Sequence, residues 1–233
     1  MAEGMNELQK LYTFLLKTYG PQGWWPIGGK YSGKKRLSEK DVFEVCVGAI
    51  LTQNTSWRNV EKALLKLREK NSLEVKKIAS MPIEKLALLI RSSGYFRQKA
   101  KSLSSFARHV VENYEGNLKA MFKKSTPKLR EELLSLWGIG PETADSILLY
   151  AGQKPVFVVD AYTKRLLSRL GLCTKEHSYE QIQELFHRWL PTNVELFKEF
   201  HALIVRHEKE LNKNKHRKIY QPAVLTSSNE KGR

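Results

Sequence analysis

The sequence predicts an all-α protein with two helical domains, and three observations lead to that prediction. Apolar residues recur every three or four positions along almost the whole chain, which is the spacing of one helix face. Only residues 155–159, PVFVV, read as an extended segment, and no second segment is evident that could pair with them in a sheet. A helical chain of 233 residues normally packs as one or two bundles.

Each helix is predicted from its own residues. Leu8, Leu11 and Leu15 share one face of the first helix. Ser38 suits the N-cap of the second, and Asp41 three positions on completes an imperfect capping box. Pro141 opens a later helix, because proline fits the first helical turn. We expect helices at about residues 6–17, 38–50, 57–70, 82–91, 98–113, 118–123, 127–136, 141–151, 161–170, 179–189 and 194–211.

Interruptions of the helical pattern set the expected domain boundaries. Glycine and proline crowd residues 19–35, and the extended residues 155–159 interrupt the helices a second time. The residues from 212 onward are polar and basic. The predicted divisions are 37–151 for one helical bundle, 1–36 with 152–211 for the second domain, and 212–233 for a basic, loosely ordered tail.

The net charge of the chain indicates which kind of molecule it binds. It contains 40 Lys and Arg against 24 Asp and Glu, a formal net charge of +16. So large an excess implies a polyanionic partner, with nucleic acid the first choice and an acidic membrane surface the second.

Cysteine content and the N-terminus bear on cofactors and location. Cys46 and Cys173 are the two cysteines of the sequence, too few for a disulfide framework or for four thiolates around an iron–sulfur cluster. The start of the chain lacks the pattern of a signal peptide, and no run of about 18 apolar residues could span a membrane. We therefore expect an intracellular, cytoplasmic protein with reduced thiols.

Residues 133–145, LLSLWGIGPETAD, form the most informative segment. A helix leads in, Gly138 and Gly140 permit a tight reversal, and a second helix leaves at Pro141. Backbone amides at such a turn form an anion site that the dipole of the following helix strengthens. In a chain of this charge the natural anion is a nucleic-acid phosphate, although an ordinary glycine-capped corner would have the same sequence.

Four segments in this order resemble the helix–hairpin–helix DNA glycosylases of the endonuclease III superfamily. They are AILTQNTSWRNVEKAL (49–64), SSGYFRQKAKSL (92–103), LWGIGPETAD (136–145) and VFVVDAYTKRLLSRLGL (156–172). The resemblance extends from about Trp24 to His207, and it implies an active-site cleft between the two helical domains. With the upstream WWP, the chain is most similar to the MagIII-type 3-methyladenine DNA glycosylases.

The resemblance makes Asp160 the catalytic aspartate by position. Breaking an N-glycosidic bond passes through an oxocarbenium-like sugar, which a nearby carboxylate stabilises while it orients or deprotonates water. From its own neighbours, Asp160 also reads as an N-cap of the helix AYTKRLLSRL, and the two roles are compatible.

Two departures from the family pattern limit the reactions and cofactors that we expect of this chain. Members that also cut the strand carry a lysine where this chain has Glu142, and without that amine no Schiff base can form from the hairpin. Many members bind a [4Fe–4S] centre near the C-terminus, but the matching residues 200–218 contain no cysteine. We therefore expect no iron–sulfur cluster and no other required cofactor, and a glycosylase that uses water. A monovalent cation at the hairpin, residues 137–140, follows from the resemblance alone.

Aromatic residues are the candidates for a base pocket. Trp24, Trp25 and Pro26 lie in a glycine-rich loop, and Trp57 could supply an opposite wall. Glu142 is a further candidate that could contact the flipped base. Electron-rich rings suit the positive charge of an N-alkylated purine. The alternative is that the indoles belong to the core and that Glu142 only favours its helix dipole.

The remaining candidates would bind the duplex. Gln53 and Asn54 are polar side chains that could fill the gap left by a flipped nucleotide, or else cap a helix end. The predicted phosphate-binding set is Gly138, Ile139, Gly140, Thr143, Lys99 and Lys164, with a structural role as the alternative for Lys99.

These predictions combine into a nucleoid-associated, monomeric, monofunctional glycosylase acting on double-stranded DNA that contains alkylated bases such as 3-methyladenine. Three alternatives remain open. One is a uracil/thymine mismatch or oxidised-base glycosylase of the same superfamily. Another is a glycosylase with a lyase step from a lysine outside the hairpin, and the third is a non-catalytic DNA-binding module.

Overall fold

The computed structural model describes residues 6–31 and 37–213, and within them the regular structure is helical, with no β-strand. This confirms the predicted all-α fold. The α-helices are α1 Glu7–Tyr19, α2 Glu39–Leu51, α3 Trp57–Glu69, α4 Val75–Ser80, α5 Ile83–Leu89, α6 Phe96–Tyr114, α7 Leu118–Phe122, α8 Thr126–Leu134, α9 Pro141–Ser146, α10 Ala161–Arg169, α11 Tyr179–Trp189 and α12 Val194–Lys213. A 3₁₀ turn, Arg91–Ser93, precedes α6, and a π-helical turn, Ile147–Ala151, follows α9. None of the helices in the described ranges is both long and apolar enough for a membrane span.

Local signals in the sequence located most of these helices. Ser38 and Asp41 form a complete capping box, because each side chain accepts a backbone N–H of the other at 3.2 and 2.8 Å. Helix α4 was not predicted, since it has six residues and buries only Ile78, so it shows no apolar periodicity. The predicted helix 141–151 is correct in extent but changes to π-helix after Ser146.

The described residues divide into two compact units. A terminal unit comprises residues 6–24 and 155–213, and a central unit comprises residues 25–31 and 37–154. The boundary predicted at residue 37 differs from this division, because the segment that begins at Trp25 packs with the central helices. The predicted tail also differs, since α12 continues to Lys213; residues 214–233 lie outside the described part of the chain.

In the terminal unit, the extended segment 155–159 is a buried connector held by α11. The Phe157 ring stacks on Phe186 with centroids 3.6 Å apart. Its backbone N–H donates to His187 Nε2 at 3.0 Å, and its carbonyl accepts from Gln183 at 2.6 Å. Side chains therefore replace the ladder bonds that a neighbouring strand would supply. The connector ends at Asp160, so this packing fixes where that residue lies.

A buried ion pair joins α10 to α12. Glu208 is fully buried and accepts two hydrogen bonds from Arg169, at 2.7 and 3.0 Å, while Arg165 lies 3.8 Å away. The two arginine side chains are 32% and 45% exposed. Only the carboxylate is therefore fully desolvated, and it depends on Arg169 for its main compensation.

Because of this difference in burial, we expect Arg169→Gln to destabilise the protein more than Glu208→Gln. Loss of Arg169 leaves the buried Glu208 carboxylate without its main ion-pair partner and should lower the free energy of unfolding by about 3 kcal/mol. Loss of the Glu208 charge leaves two arginines that can turn to water, at a cost of about 1 kcal/mol. Denaturant unfolding of the two variants measures the difference; equal costs, or a larger one for Glu208→Gln, would contradict it.

Helix α2 is the centre of the central unit, since every residue from Val42 to Leu51 is buried. Gly48 in this helix is a point of close approach. A Cβ at that position would lie 2.8 Å from Trp25 Cζ2, so the absence of a side chain lets the indole pack against the helix. Trp25 also meets Trp57 edge-on and Tyr150 at a tilt, each with ring centroids 5.1 Å apart.

Candidate functional site

Asp160 is the N-cap of α10 and is buried, with 9% of its surface exposed. Its Oδ1 atom accepts the Thr163 backbone N–H at 2.7 Å and the Thr163 hydroxyl at 2.9 Å. The predicted capping role is therefore present in the structure. These two bonds leave Oδ2 as the oxygen that the cap does not use.

His201 on α12 faces that second oxygen. Its Nε2 atom lies 3.5 Å from Asp160 Oδ2, and both residues are buried. No role for His201 is predicted from the sequence, because the two residues are 41 positions apart and a single histidine on an apolar helix face usually belongs to the core. The proximity of His201 to Asp160 is therefore the main feature of this site that the sequence did not predict.

The environment of Asp160 keeps its carboxyl ionised at neutral pH. Burial raises the pKa of Asp160, but the facing His201 and the two donors of Thr163 lower it by more, so the net pKa lies below the ordinary aspartate value. A carboxylate held in this way can stabilise a developing cation or accept a proton from water.

The hairpin between α8 and α9 lies in the central unit and is held by a second buried pair. Asp145 is fully buried, and Arg130 donates to both of its oxygens at 2.7 and 3.2 Å. Between these helices Gly138 has a φ of +76°, which favours glycine. A Cβ on Gly138 would also lie 3.0 Å from the Cβ of Ser102 on α6, so the turn packs closely on that helix.

The backbone N–H groups of the hairpin that were predicted to bind phosphate differ in whether they already have a hydrogen-bond partner. Gly138 and Gly140 are exposed, and the described residues offer their N–H groups no partner. Ile139 is 4% exposed, and its N–H donates to the Leu136 carbonyl at 3.2 Å. The N–H of Ile139 is thus already used within the turn. Phosphate binding by the Gly138 and Gly140 amides remains a prediction.

Gln53 is tied to the hairpin. Its Nε2 atom donates to the Gly138 carbonyl at 3.0 Å and to the Thr143 hydroxyl at 2.8 Å. Thr143 is itself buried, so its side chain supports the loop after α2. Asn54 is exposed at the tip of this loop, with a φ of +50°. Of the two predicted intrusion residues, Asn54 is therefore the one that presents its side chain to solvent.

Lys99 does not face solvent, and its prediction as a phosphate ligand is wrong. It is 3% exposed, and its Nζ donates to the Leu51 carbonyl at 2.9 Å and to the Ser93 carbonyl at 2.6 Å. Burial lowers the pKa of its amine to about 8. Lys99 instead ties the end of α2 to the 3₁₀ turn, satisfying carbonyls that would otherwise lack a partner.

Lys164 lies on α10 and is exposed, as a phosphate ligand requires. Tyr95 and Trp137 are exposed aromatic residues that were not predicted as candidates. Tyr95 is 69% exposed with a φ of +44°, and Trp137 in the hairpin is 53% exposed. Exposed rings at strained or turn positions are suited to contact a nucleic acid, and exposure is what the apolar pattern of a sequence does not show.

The residues predicted to line a base pocket differ in solvent exposure. Trp25 and Trp57 are 9% and 8% exposed and pack on each other, as the core interpretation expects. Pro26 is also buried, and Trp24 is half-buried. Glu142 is exposed in the first turn of α9. A role for these five residues in holding a base remains a prediction.

Glu44 holds the loop that follows these aromatic residues. This buried carboxylate on α2 accepts the Gly28 N–H at 2.8 Å and binds Arg68 of α3 through two hydrogen bonds, at 3.1 and 2.8 Å. The segment after Trp25 is thereby fixed to two helices.

The predictions on metals and cofactors concern two kinds of group, the metal-ligating side chains and the carbonyls of the hairpin. No group of three or more His, Cys, Asp or Glu side chains that could hold a metal occurs within residues 6–31 and 37–213. At the hairpin, the Gly138 carbonyl accepts from Gln53 and the Gly140 carbonyl accepts from Ala144. A monovalent cation at residues 137–140 would share these oxygens, and it remains a prediction.

A glycine hairpin and a buried aspartate at a helix start, within described residues that are helical, agree with the helix–hairpin–helix class that the sequence resembles. The chain belongs to the HhH-GPD superfamily of base excision DNA repair proteins, whose family model matches residues 47–192. That range includes Gln53, the hairpin and Asp160, but neither Trp24 nor His201.

Individual relatives resemble most of the chain. A protein of Methanocaldococcus jannaschii that carries a provisional name as a DNA repair glycosylase is 48% identical over 210 residues, 89% of this chain and 90% of that protein. The H. pylori 3-methyladenine DNA glycosylase MagIII, solved with 1,N6-ethenoadenine, is 31% identical with a TM-score of 0.71, covering 91% of this chain and 97% of that one. This agrees with the MagIII-type resemblance in the sequence.

The likeness extends to a structure that contains DNA. A trapped covalent intermediate of endonuclease III with DNA has a TM-score of 0.66 and 21% identity, covering 86% of this chain and 85% of that one. At this identity the likeness concerns the fold alone, and it shows that the fold binds DNA in that relative.

Proposed function

We propose that the protein is a monofunctional DNA glycosylase that removes alkylated purines such as 3-methyladenine from double-stranded DNA. The observation that carries the proposal is the buried, ionised carboxylate of Asp160, fixed at the start of α10. It would stabilise the positive charge that develops on the sugar as the base leaves, and it would orient the attacking water.

The choice of alkylated purines has two supports. MagIII, at 31% identity over nearly its whole length, is named as a 3-methyladenine DNA glycosylase. An N-alkylated purine also carries positive charge and leaves readily, so one carboxylate suffices and no general acid is required. In the part of the chain that the structure describes, the side chains in contact with the Asp160 carboxylate are those of Thr163 and His201, and neither is an acid.

The absence of a lyase step rests on Glu142. This residue begins α9 and is exposed, at the position where the strand-cutting members of the superfamily have lysine. A carboxylate cannot attack C1′ to form a Schiff base. Water is therefore the nucleophile, and the product is an abasic site on an intact strand.

The test is a panel of duplexes that carry methylated purines, uracil, a thymine mismatch or an oxidised base. We expect release of 3-methyladenine and 7-methylguanine, strand breaks only after hot alkali, and no covalent adduct with borohydride. Endonuclease III serves as the positive control for trapping. Release of uracil or thymine instead would overturn the substrate class, and a trapped adduct would overturn the monofunctional assignment.

A further inference from the structure

The two oxygens of Asp160 have different partners. Oδ1 is taken by the backbone and hydroxyl of Thr163, while Oδ2 faces Nε2 of His201 at 3.5 Å. Cap and imidazole belong to different helices, α10 and α12, which pack together in the terminal unit. The two oxygens of the carboxylate therefore face groups on two different helices.

The distance between Nε2 and Oδ2 is informative. At 3.5 Å it exceeds the 2.7–3.2 Å of a direct N–H···O hydrogen bond but lies well within the range of a strong electrostatic interaction. Both groups are buried, so water screens them weakly. His201 can therefore act on the charge of Oδ2 without occupying its lone pairs.

We propose that His201 is a positioning residue for Asp160, which keeps the Oδ2 oxygen charged and oriented and so sets the acid limit of base release. The proposal rests on the proposed function of Asp160. It extends the site to a residue outside the range that the family model matches.

Other groups near the pair also act on the Asp160 carboxylate or pack against the imidazole. Lys209 on α12 interacts with Asp160 electrostatically and favours the same ionised state, and the Phe157 ring packs edge-on to the imidazole at 6.5 Å. On α10 the facing group is the uncharged Thr163. Loss of His201 should therefore make the ionised form of Asp160 less favourable, while Lys209 and Thr163 continue to favour it.

His207 provides a matched control. It lies on the same helix and is fully buried, but it pairs with the Tyr19 hydroxyl on α1 at 2.9 Å. A purely structural effect of replacing a buried histidine in α12 would appear in both variants, whereas an effect through Asp160 would appear only at position 201.

The experiment compares wild type, His201→Phe, His201→Gln and His207→Phe by single-turnover release of a methylated purine between pH 4.5 and 8. We expect His201→Phe to move the acid limb to higher pH, with about a tenfold lower rate near pH 5 and less than about a threefold change at pH 8. His201→Gln, whose side-chain N–H presents a partial positive charge toward Oδ2, should recover part of the loss. His207→Phe should leave the limb in place, and an acid limb that His201→Phe does not move would overturn the proposal.

A second measurement does not depend on activity. The Asp160 carboxyl carbon is titrated by NMR in the full-length wild type and in His201→Phe, with folding verified by circular dichroism. We expect the carboxyl to titrate at higher pH in the variant. If the wild type releases no base yet this shift occurs, the proposed function fails and the pairing holds; an unshifted titration would overturn the pairing itself.

Discussion

Asp160→Asn should reduce single-turnover base release by at least about 100-fold while the protein remains folded. Asparagine keeps an oxygen that can accept from the Thr163 N–H and hydroxyl, and it caps helices about as well as aspartate. What it lacks is the negative charge opposite the developing cation. The change therefore separates the catalytic role of this residue from its capping role.

Asp41→Asn is the matched control for that experiment. Asp41 also makes a helix-capping contact, with Ser38 at the start of α2, but it lies in the central unit and outside the candidate site. We expect its variant to retain the wild-type rate. If Asp160→Asn also retained a rate within tenfold of wild type, Asp160 would be a structural cap and the proposed mechanism would be wrong.

Trp25→Ala should lower the free energy of unfolding by about 3–5 kcal/mol. The indole is buried against Gly48, Trp57 and Tyr150, so truncation removes apolar contacts and leaves a cavity beside the central helix. Trp189→Ala, at a position that is 50% exposed, is the control and should cost less than about 1 kcal/mol. Urea unfolding followed by circular dichroism measures both; similar costs would mean that the aromatic cluster is not part of the core.

Gly48→Ala sharpens the same test, because helix propensity and packing predict opposite signs. An alanine in a helix interior normally stabilises by about 1 kcal/mol relative to glycine. Here its Cβ would lie 2.8 Å from the Trp25 ring, so we expect destabilisation. In the Trp25→Ala background the clash is absent, and the alanine should become neutral or stabilising.

The sequence predicted the features that depend on neighbours along the chain. Apolar spacing located most helices, Ser38 with Asp41 predicted a capping box, and the two glycines of GIG predicted the hairpin turn. These are local interactions, and local residue types suffice to specify them. Asp160 as an N-cap belongs to the same class.

The features that the sequence missed depend on contacts between distant segments. His201 meets Asp160 through helix packing, and Lys99 is buried because two carbonyls, of Leu51 and Ser93, converge on it. Trp25 packs into the gap at Gly48, a contact between two segments that are distant in the sequence. Nothing in the residues adjacent to these positions distinguishes a buried partner from an exposed ligand.

The most direct test of the account is to incubate wild type and Asp160→Asn with methylated duplex DNA and to measure the free base and the state of the strand. We predict that wild type releases 3-methyladenine and leaves an unbroken abasic strand, and that the variant binds the same duplex but releases almost none. Binding of the duplex by wild type without release of any base would contradict the central claim.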